Sequence, residues 1–277
     1  MDAWLVNGTP CNHVPVDDRG LAYGDGLFET VAWRDGRARF LDRHLERLTG
    51  GCRRLDLPEP DSGLICSEIE QLGSASPEGI VKILITRGSG PRGYAAPSPA
   101  APTRIVGWSG SITGTMPGAV PAARVIVCRT PASVNPYLAG LKTLNRLDNV
   151  LASLEWRKAG CNEGLMLDPA GRVIGGTMSN VFMVRGCKLL TPSIEHCGIH
   201  GVMRAIILSV ARESGIEVEV QDLRLEDFAR AEEIFLSNAL WGVRPVHDYI
   251  GRRYVTGSLT REIGRALTAL GVSECPC

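Results

Sequence analysis

Lys142 is the residue whose surroundings best suit covalent chemistry. It closes an apolar stretch broken by proline and glycine and stands just ahead of an amphipathic helix, in Gly140-Leu-Lys-Thr-Leu-Asn-Arg-Leu-Asp-Asn-Val-Leu. Burial there disfavours the ammonium and makes a lysine amine available for Schiff-base formation. By itself the segment also reads as a solvated lysine beside a helix start. A second feature is Gly198-Ile-His-Gly-Val-Met-Arg, a tight glycine turn feeding a helix. The backbone N–H groups of Val202 and Met203 lie in that first turn with the positive end of the helix dipole behind them. This makes an anion cradle, or an ordinary helix start. Arg47 lies off the apolar stripe of its helix and is either a solvated cation or a planar fork suited to a phosphate. Arg92, beside Tyr94 on a flexible loop, is either exposed or placed to close over a carboxylate-bearing substrate. His196 and His200, with Cys197 between them, mimic a metal pair. Gly198 and Gly201 argue against one continuous helix there and no carboxylate is suitably spaced, so no metal is expected.

The elements that position these residues divide into two parts. The first reads as a compact α/β unit. Strands are expected at Ala3–Val6, Leu27–Trp33, Ile80–Thr86 and Ile105–Trp108, around Asn-Gly, Asp-Gly and Arg-Asp-Gly turns. Leu41, Leu45, Leu48, Cys52 and Leu55 recur at helical spacing and predict an amphipathic helix over 40–55. The Gly/Pro-rich stretch 87–102 is unusual inside a compact domain, and such loops tend to be functional or disordered. Thr113–Pro121 has a linker's composition, so the domains are placed at 1–114 and 115–277. The second part opens on a strand at 124–129. After Lys142, Leu147, Val150, Leu151 and Leu154 give the following helix one apolar face. A meander is expected at 164–168, 172–174 and 181–184, helices at about 201–214, 225–231 and 257–270, and a strand at 234–237.

Composition narrows the function. The 277 residues carry 30 basic and 30 acidic side chains, and no basic stripe is interleaved with aromatics, so nucleic acid is not an expected partner. The first residues have neither a basic n-region nor a long apolar stretch, and no segment approaches the roughly 18 apolar residues of a membrane span. The expected location is the cytoplasm. Nine scattered cysteines without paired spacing read as reduced thiols.

Several segments, in order and at compatible spacing, resemble motifs of the fold-type IV pyridoxal-phosphate enzymes. They are Asp18-Arg-Gly-Leu-Ala-Tyr-Gly-Asp-Gly-Leu-Phe-Glu-Thr, Arg43-His-Leu-Glu-Arg-Leu, Leu141-Lys-Thr-Leu-Asn, Gly171 through Asn180, and Gly201-Val-Met-Arg. The family includes branched-chain and D-amino acid aminotransferases and aminodeoxychorismate lyases. Arg87-Gly-Ser-Gly-Pro-Arg-Gly-Tyr, Leu141 through Ala152 and Ser237-Asn-Ala-Leu look most like the lyase branch. The resemblance implies a two-domain α/β (α+β) fold of the D-amino acid aminotransferase type. In it a small N-terminal α/β domain precedes a larger domain with a barrel-like sheet.

The resemblance also implies site roles. Lys142 would carry pyridoxal 5'-phosphate and shuttle protons. Arg47, the Val202 and Met203 amides, and the polar edge at Asn238–Ala239 would hold its phosphate, with Ser179 and Asn180 beside it. Thr30, at the end of its strand, would face the cofactor and assist proton transfer. Arg92 and Tyr94 would approach the substrate from the partner subunit of a homodimer. One departure stands out: the family's usual glutamate at the pyridine nitrogen is Gly175 here. Without that acid the ring is a weaker electron sink. Loss of pyruvate from aminodeoxychorismate leaves an aromatic ring, so product stability drives that step. Transamination has no such drive. The expected function is therefore aminodeoxychorismate lyase, with a D-amino acid or (R)-amine transaminase, or an impaired relative, as alternatives.

Overall fold

The computed structural model describes residues 3–74, 76–110 and 120–275. It divides into two compact units, Met1–Met116 with Leu141–Asn145, and Pro117–Gly140 with Arg146–Cys277. The boundary expected near Gly114 falls outside the described residues. A division into two contiguous stretches misses one feature: Leu141–Asn145, and so Lys142, belongs to the first unit.

The first unit contains β1 (Ala3–Val6), β2 (Thr9–Pro10), α1 (Arg19–Tyr23), β3 (Gly26–Arg34), β4 (Arg37–Ala38), α2 (Leu41–Arg54), α3 (Ser62–Gly73), β5 (Gly79–Thr86) and β6 (Thr103–Ser109). Its strands form one antiparallel sheet in the order β2-β1-β6-β5-β3-β4. Tight hairpins close it at Asn7-Gly8 and Asp35-Gly36, where both central residues have positive φ, the geometry that matches the strands' twist. Helix α2 buries His44, Leu45, Leu48 and Cys52, the face its spacing predicts. Leu48, Ile65, Ile69, Val81, Ile83 and Val106 are almost wholly excluded from water. Each such side chain contributes about 1.5–3 kcal/mol relative to exposure.

The second unit contains β7 (Ala123–Val127), α4 (Leu147–Lys158), β8 (Glu163–Leu167), β9 (Val173–Gly176), β10 (Asn180–Arg185), β11 (Lys188–Pro192), α5 (Val202–Glu213), β12 (Val218–Gln221), α6 (Leu225–Ala229), β13 (Glu233–Asn238), β14 (Gly242–Tyr249), β15 (Arg252–Arg253) and α7 (Ser258–Ala269). Its nine-stranded mixed sheet runs β12-β11-β10-β13-β14-β7-β8-β9, with β15 beside β14. The sheet curls until β9 lies back against β10 and β11. Val125, Leu165, Val173, Val181, Met183, Leu190, Leu236 and Phe228 fill one face. Strand alternation turns Phe182 and Phe235, stacked 4.9 Å apart, to the other. Helix α5 packs on β13 and α7 on β14.

Helix α4 forms where the apolar spacing predicts, but Leu147, Val150, Leu151 and Leu154 are all exposed and only Ala152 is fully buried. The helix is held instead by its other side. Asn149 donates to the Thr177 carbonyl, and the Glu155 carboxylate accepts from the Arg129 and Thr130 amides.

Candidate active site

Lys142 is placed by its backbone. Its carbonyl accepts from Phe28 N at 3.0 Å, Leu144 N donates to the Gly26 carbonyl at 3.0 Å, and Thr143 bridges to Leu27. The segment thus adds a short antiparallel edge to β3. Leu141 and Thr143 are buried while Lys142 is half-buried. Its Nζ stands 4.2 Å from the centroid of the Phe28 ring, in cation–π range. Thr30 shares the Phe28 face of the strand by alternation. It lies in the middle of β3, not at its end as the sequence reading had it, because pairing with β5 carries the strand on to Arg34.

The opposite face of β3 turns Glu29 toward α2. Arg47 donates to Glu29 through Nε at 2.7 Å and through Nη2, and His44 Nδ1 lies 2.7 Å from the second carboxylate oxygen. Glu29 and His44 are each about 1% exposed. Burial alone would raise the Glu29 pKa, but the hydrogen bonds from His44 and Arg47 and the Arg47 charge hold it below the usual carboxylate range. Burial pushes His44 down against the pull of Glu29, and the charges of Arg47 and Lys142 push it the same way. His44 is therefore a neutral imidazole near neutrality. Arg47 is fixed by a buried carboxylate, which predetermines where its guanidinium points.

The 87–102 loop is ordered by α1. The Arg19 guanidinium, 4% exposed, donates to Asp25 at 2.9 Å, to the Gly93 carbonyl at 2.9 Å and to the Tyr94 carbonyl at 3.1 Å. Arg87 shares Asp25 and also donates to the Leu55 and Asp56 carbonyls. The Tyr94 side chain, 88% exposed, meets Tyr23 edge-on. Arg92 is exposed on the same tip.

In the second unit the predicted residues converge on one end of the curled sheet. Helix α5 begins at Gly201 with no side-chain cap, so side chains leave its first-turn N–H groups, those of Val202 and Met203, unclaimed. A Cβ on Gly201 would fall 2.0 Å from Asn180 Oδ1, and Asn180 Nδ2 donates to the Ile199 carbonyl at 3.0 Å. Asn180 thus shapes the turn before the helix. Asn238 Oδ1 accepts from Leu240 N at 3.0 Å and Trp241 N at 3.2 Å, which folds the chain past Ala239. Gly175 is buried in β9 opposite Met166, and a Cβ there would lie 2.9 Å from the Ser179 carbonyl oxygen.

Four important groups escaped the sequence reading. Glu29, His44 and Arg19 lie inside segments it quoted, yet nothing in their spacing marks them as partners. Glu163 is the fourth. It is 1% exposed and accepts from Thr177 N and Oγ1, Met178 N, Ser179 Oγ and its neighbour Gly164 N. It holds the β9–β10 connection that carries Ser179.

Taken each by itself, the first unit's amine on a locked backbone and guanidinium fixed by a buried carboxylate, and the second unit's uncapped helix start, are features that suit an enzyme binding a phosphorylated aldehyde cofactor. The class IV aminotransferase family model matches residues 26–249, and the chain belongs to that family of pyridoxal-phosphate-dependent enzymes. It is 32% identical to an aminodeoxychorismate lyase of Vibrio harveyi over 262 residues, covering 93% of this chain and 97% of that one. It is 29% identical to a bifunctional aminodeoxychorismate lyase / D-amino acid transaminase of Mycobacterium tuberculosis, covering 98% and 96%. The crystal structure of a Pseudomonas aeruginosa 4-amino-4-deoxychorismate lyase superposes with a TM-score of 0.87 at 42% identity, covering 97% of this chain and 98% of that one. The mixed α/β architecture with its curled sheet is thus the fold of these enzymes.

Proposed function

We propose that this protein is an aminodeoxychorismate lyase that converts 4-amino-4-deoxychorismate to 4-aminobenzoate and pyruvate for folate synthesis. The observation that carries the reading is the Gly175 backbone. No side chain leaves this position, and the Ser179 carbonyl crowds the place where one would start. A reaction whose product gains an aromatic ring tolerates the weaker electron sink better than transamination does. The 42% identity to the Pseudomonas aeruginosa lyase supports the same choice.

Bound pyridoxal phosphate supplies a conjugated system that accepts the electron pair left at the substrate's amine-bearing carbon. Lys142 would contribute the amine that carries the cofactor between turnovers and take the proton from that carbon; the ring's enol-ether C–O bond then breaks, and the departing enolpyruvate gains a proton to become pyruvate. Phe28 and the β3 edge fix where this amine operates. Arg47, oriented by Glu29, and the Val202 and Met203 amides neutralise the phosphate, and Asn180 and Asn238 shape the turns around them. Thr30 assists the proton movement from the Phe28 face, and Arg92 and Tyr94 recognise the substrate carboxylates.

The working form in this reading is a cytoplasmic homodimer. Among the described residues no helix is long and apolar enough to cross a membrane. The exposed leucine and valine stripe of α4 is the face that a second copy would cover, and sedimentation should give twice the chain mass. Purified holoprotein mixed with aminodeoxychorismate should release 4-aminobenzoate; none formed with cofactor present refutes the assignment. A D-amino acid transaminase is the second reading, favoured by the similarity to the bifunctional Mycobacterium tuberculosis protein. Keto acid made from D-alanine would support it.

A further inference from the structure

We infer that Arg19 is a positioning residue for substrate binding, holding the tip of the 87–102 loop so that Arg92 and Tyr94 are presented in one arrangement. This rests on the reading above that the loop tip takes the substrate carboxylate. The segment Arg87-Gly-Ser-Gly-Pro-Arg-Gly-Tyr-Ala-Ala-Pro carries three glycines and two prolines, a composition with little intrinsic order. Its tip is nevertheless held from below, chiefly by one side chain, Arg19.

Arg19 Nη1 donates to the Gly93 carbonyl at 2.9 Å and the Ala95 carbonyl at 3.4 Å, and Nη2 donates to the Tyr94 carbonyl at 3.1 Å. Three consecutive carbonyls therefore curl around one guanidinium. Nε meanwhile donates to Asp25 at 2.9 Å, and Asp25 is held in turn by Arg87 Nε at 2.8 Å. The Tyr23 ring supports the guanidinium from 4.8 Å and its phenol oxygen accepts from Gly93 N at 3.1 Å. The hydrogen bonds of Arg19 to the tip fall entirely on backbone. The Tyr94 and Arg92 side chains are left exposed, as residues that must meet a ligand require.

Lysine cannot substitute here. Its ammonium is a point charge with three donors, whereas this site uses a rigid fork aimed at one carboxylate and three carbonyls at once. An unheld loop samples many tip conformations, and only the fraction with Arg92 in place binds substrate. The penalty therefore falls on binding, while chemistry at Lys142 continues once substrate is seated.

The test compares holoenzyme of wild type, Arg19→Lys and Arg92→Ala. For Arg19→Lys, trypsin cleavage of the Arg92–Gly93 bond should accelerate about tenfold, and KM for aminodeoxychorismate should rise by a similar factor, with kcat within about threefold. Unchanged KM with normal loop cleavage, or a kcat loss at unchanged KM, overturns the inference. So does faster cleavage at unchanged KM. If Arg92→Ala itself leaves KM untouched, the substrate role of the loop fails instead. If Arg92→Ala raises KM but Arg19→Lys does not, the positioning role alone fails. Should Arg19→Lys not fold, Tyr23→Phe loosens the same tip more gently, and its KM should rise about two- to threefold.

Discussion

Glu29→Gln is the substitution in the first unit whose cost is best defined by geometry. It keeps the side chain's shape and removes its charge at a site almost sealed from water. Three donors converge on the carboxylate: Arg47 Nε, Arg47 Nη2 and His44 Nδ1. A carboxamide offers a single oxygen. If that oxygen serves Arg47, the amide nitrogen must face His44, whose neutral ring can change tautomer and accept. One Arg47 bond is still lost, along with the opposite charge, beside a guanidinium only 15% exposed. Hydrogen bonds to charged groups contribute about 1.5–3 kcal/mol. Breaking a buried pair by removing one partner costs about 3–5 kcal/mol. With one oxygen retained, a loss of about 2–4 kcal/mol is expected in denaturant unfolding at pH 7.5.

The double variant Glu29→Gln/Arg47→Gln should be less destabilised than the sum of the singles by at least about 1 kcal/mol, because neither partner is then stranded. The pH dependence of wild-type stability has a definite sign. The folded-state pKa values of Glu29 and His44 both lie below their ordinary values, so the unfolded chain binds more protons. Their contribution is present in full above the unfolded pKa and is lost as pH falls. For His44 the loss begins below about pH 6.5 and for Glu29 below about pH 4.3. Wild type should therefore weaken on acidification from pH 6.5, and His44→Asn should flatten that limb. A Glu29→Gln cost below about 0.5 kcal/mol at pH 7.5 would refute the reasoning.

Three further outcomes are expected. Lys142→Ala should remove borohydride-fixable cofactor and lower 4-aminobenzoate formation by at least about a thousandfold, read by mass spectrometry and product assay. Gly201→Ala should weaken cofactor retention about tenfold or more, measured by equilibrium dialysis, because its Cβ meets Asn180 Oδ1 at 2.0 Å, and adding Asn180→Ala should relieve only the clash. Gly175→Glu must displace the Ser179 carbonyl, so it should cost about 1–3 kcal/mol and leave lyase turnover within about tenfold. A gain of several orders of magnitude would mark the natural chain as impaired.

Most of the scaffold was legible because spacing and turn chemistry agreed. The Leu45–Leu48–Cys52 stripe defined α2, and Asn7-Gly8 and Asp35-Gly36 defined hairpins. Strand β14 was not legible, since Pro245 in an interior strand argues against one, yet it pairs opposite Phe235. Helix α3 has glycines at both ends of its span and a weak stripe; its one clear signal is Asp61, which caps Leu64 N. The α4 stripe gave the helix but not its surroundings, because apolar spacing does not say whether that face is buried. The position of Lys142 just ahead of α4 was readable from the spacing. Its transfer to the β3 edge was not, since backbone pairing leaves no mark in side-chain type. Arg19, Glu29 and Glu163 act through partners distant in sequence, and no local pattern reports those.

Glu163 decides what the glycine at 175 means. This buried carboxylate close to β9 does not stand in for an acid at 175, because its acceptor capacity is already committed. About four lone-pair sites serve Thr177 N, Thr177 Oγ1, Met178 N, Ser179 Oγ and Gly164 N. Turning either oxygen elsewhere would orphan buried donors of the very connection that places Ser179 and Asn180, at about 1–3 kcal/mol for each. The two glycines at 175 and 176 belong to the same arrangement, because a Cβ on Gly176 would fall 2.9 Å from the Glu163 carboxylate. Glu163 is thus committed to shape, and residue 175 offers backbone alone. This is the feature on which the proposed lyase reading, with a product that drives its own formation, rests.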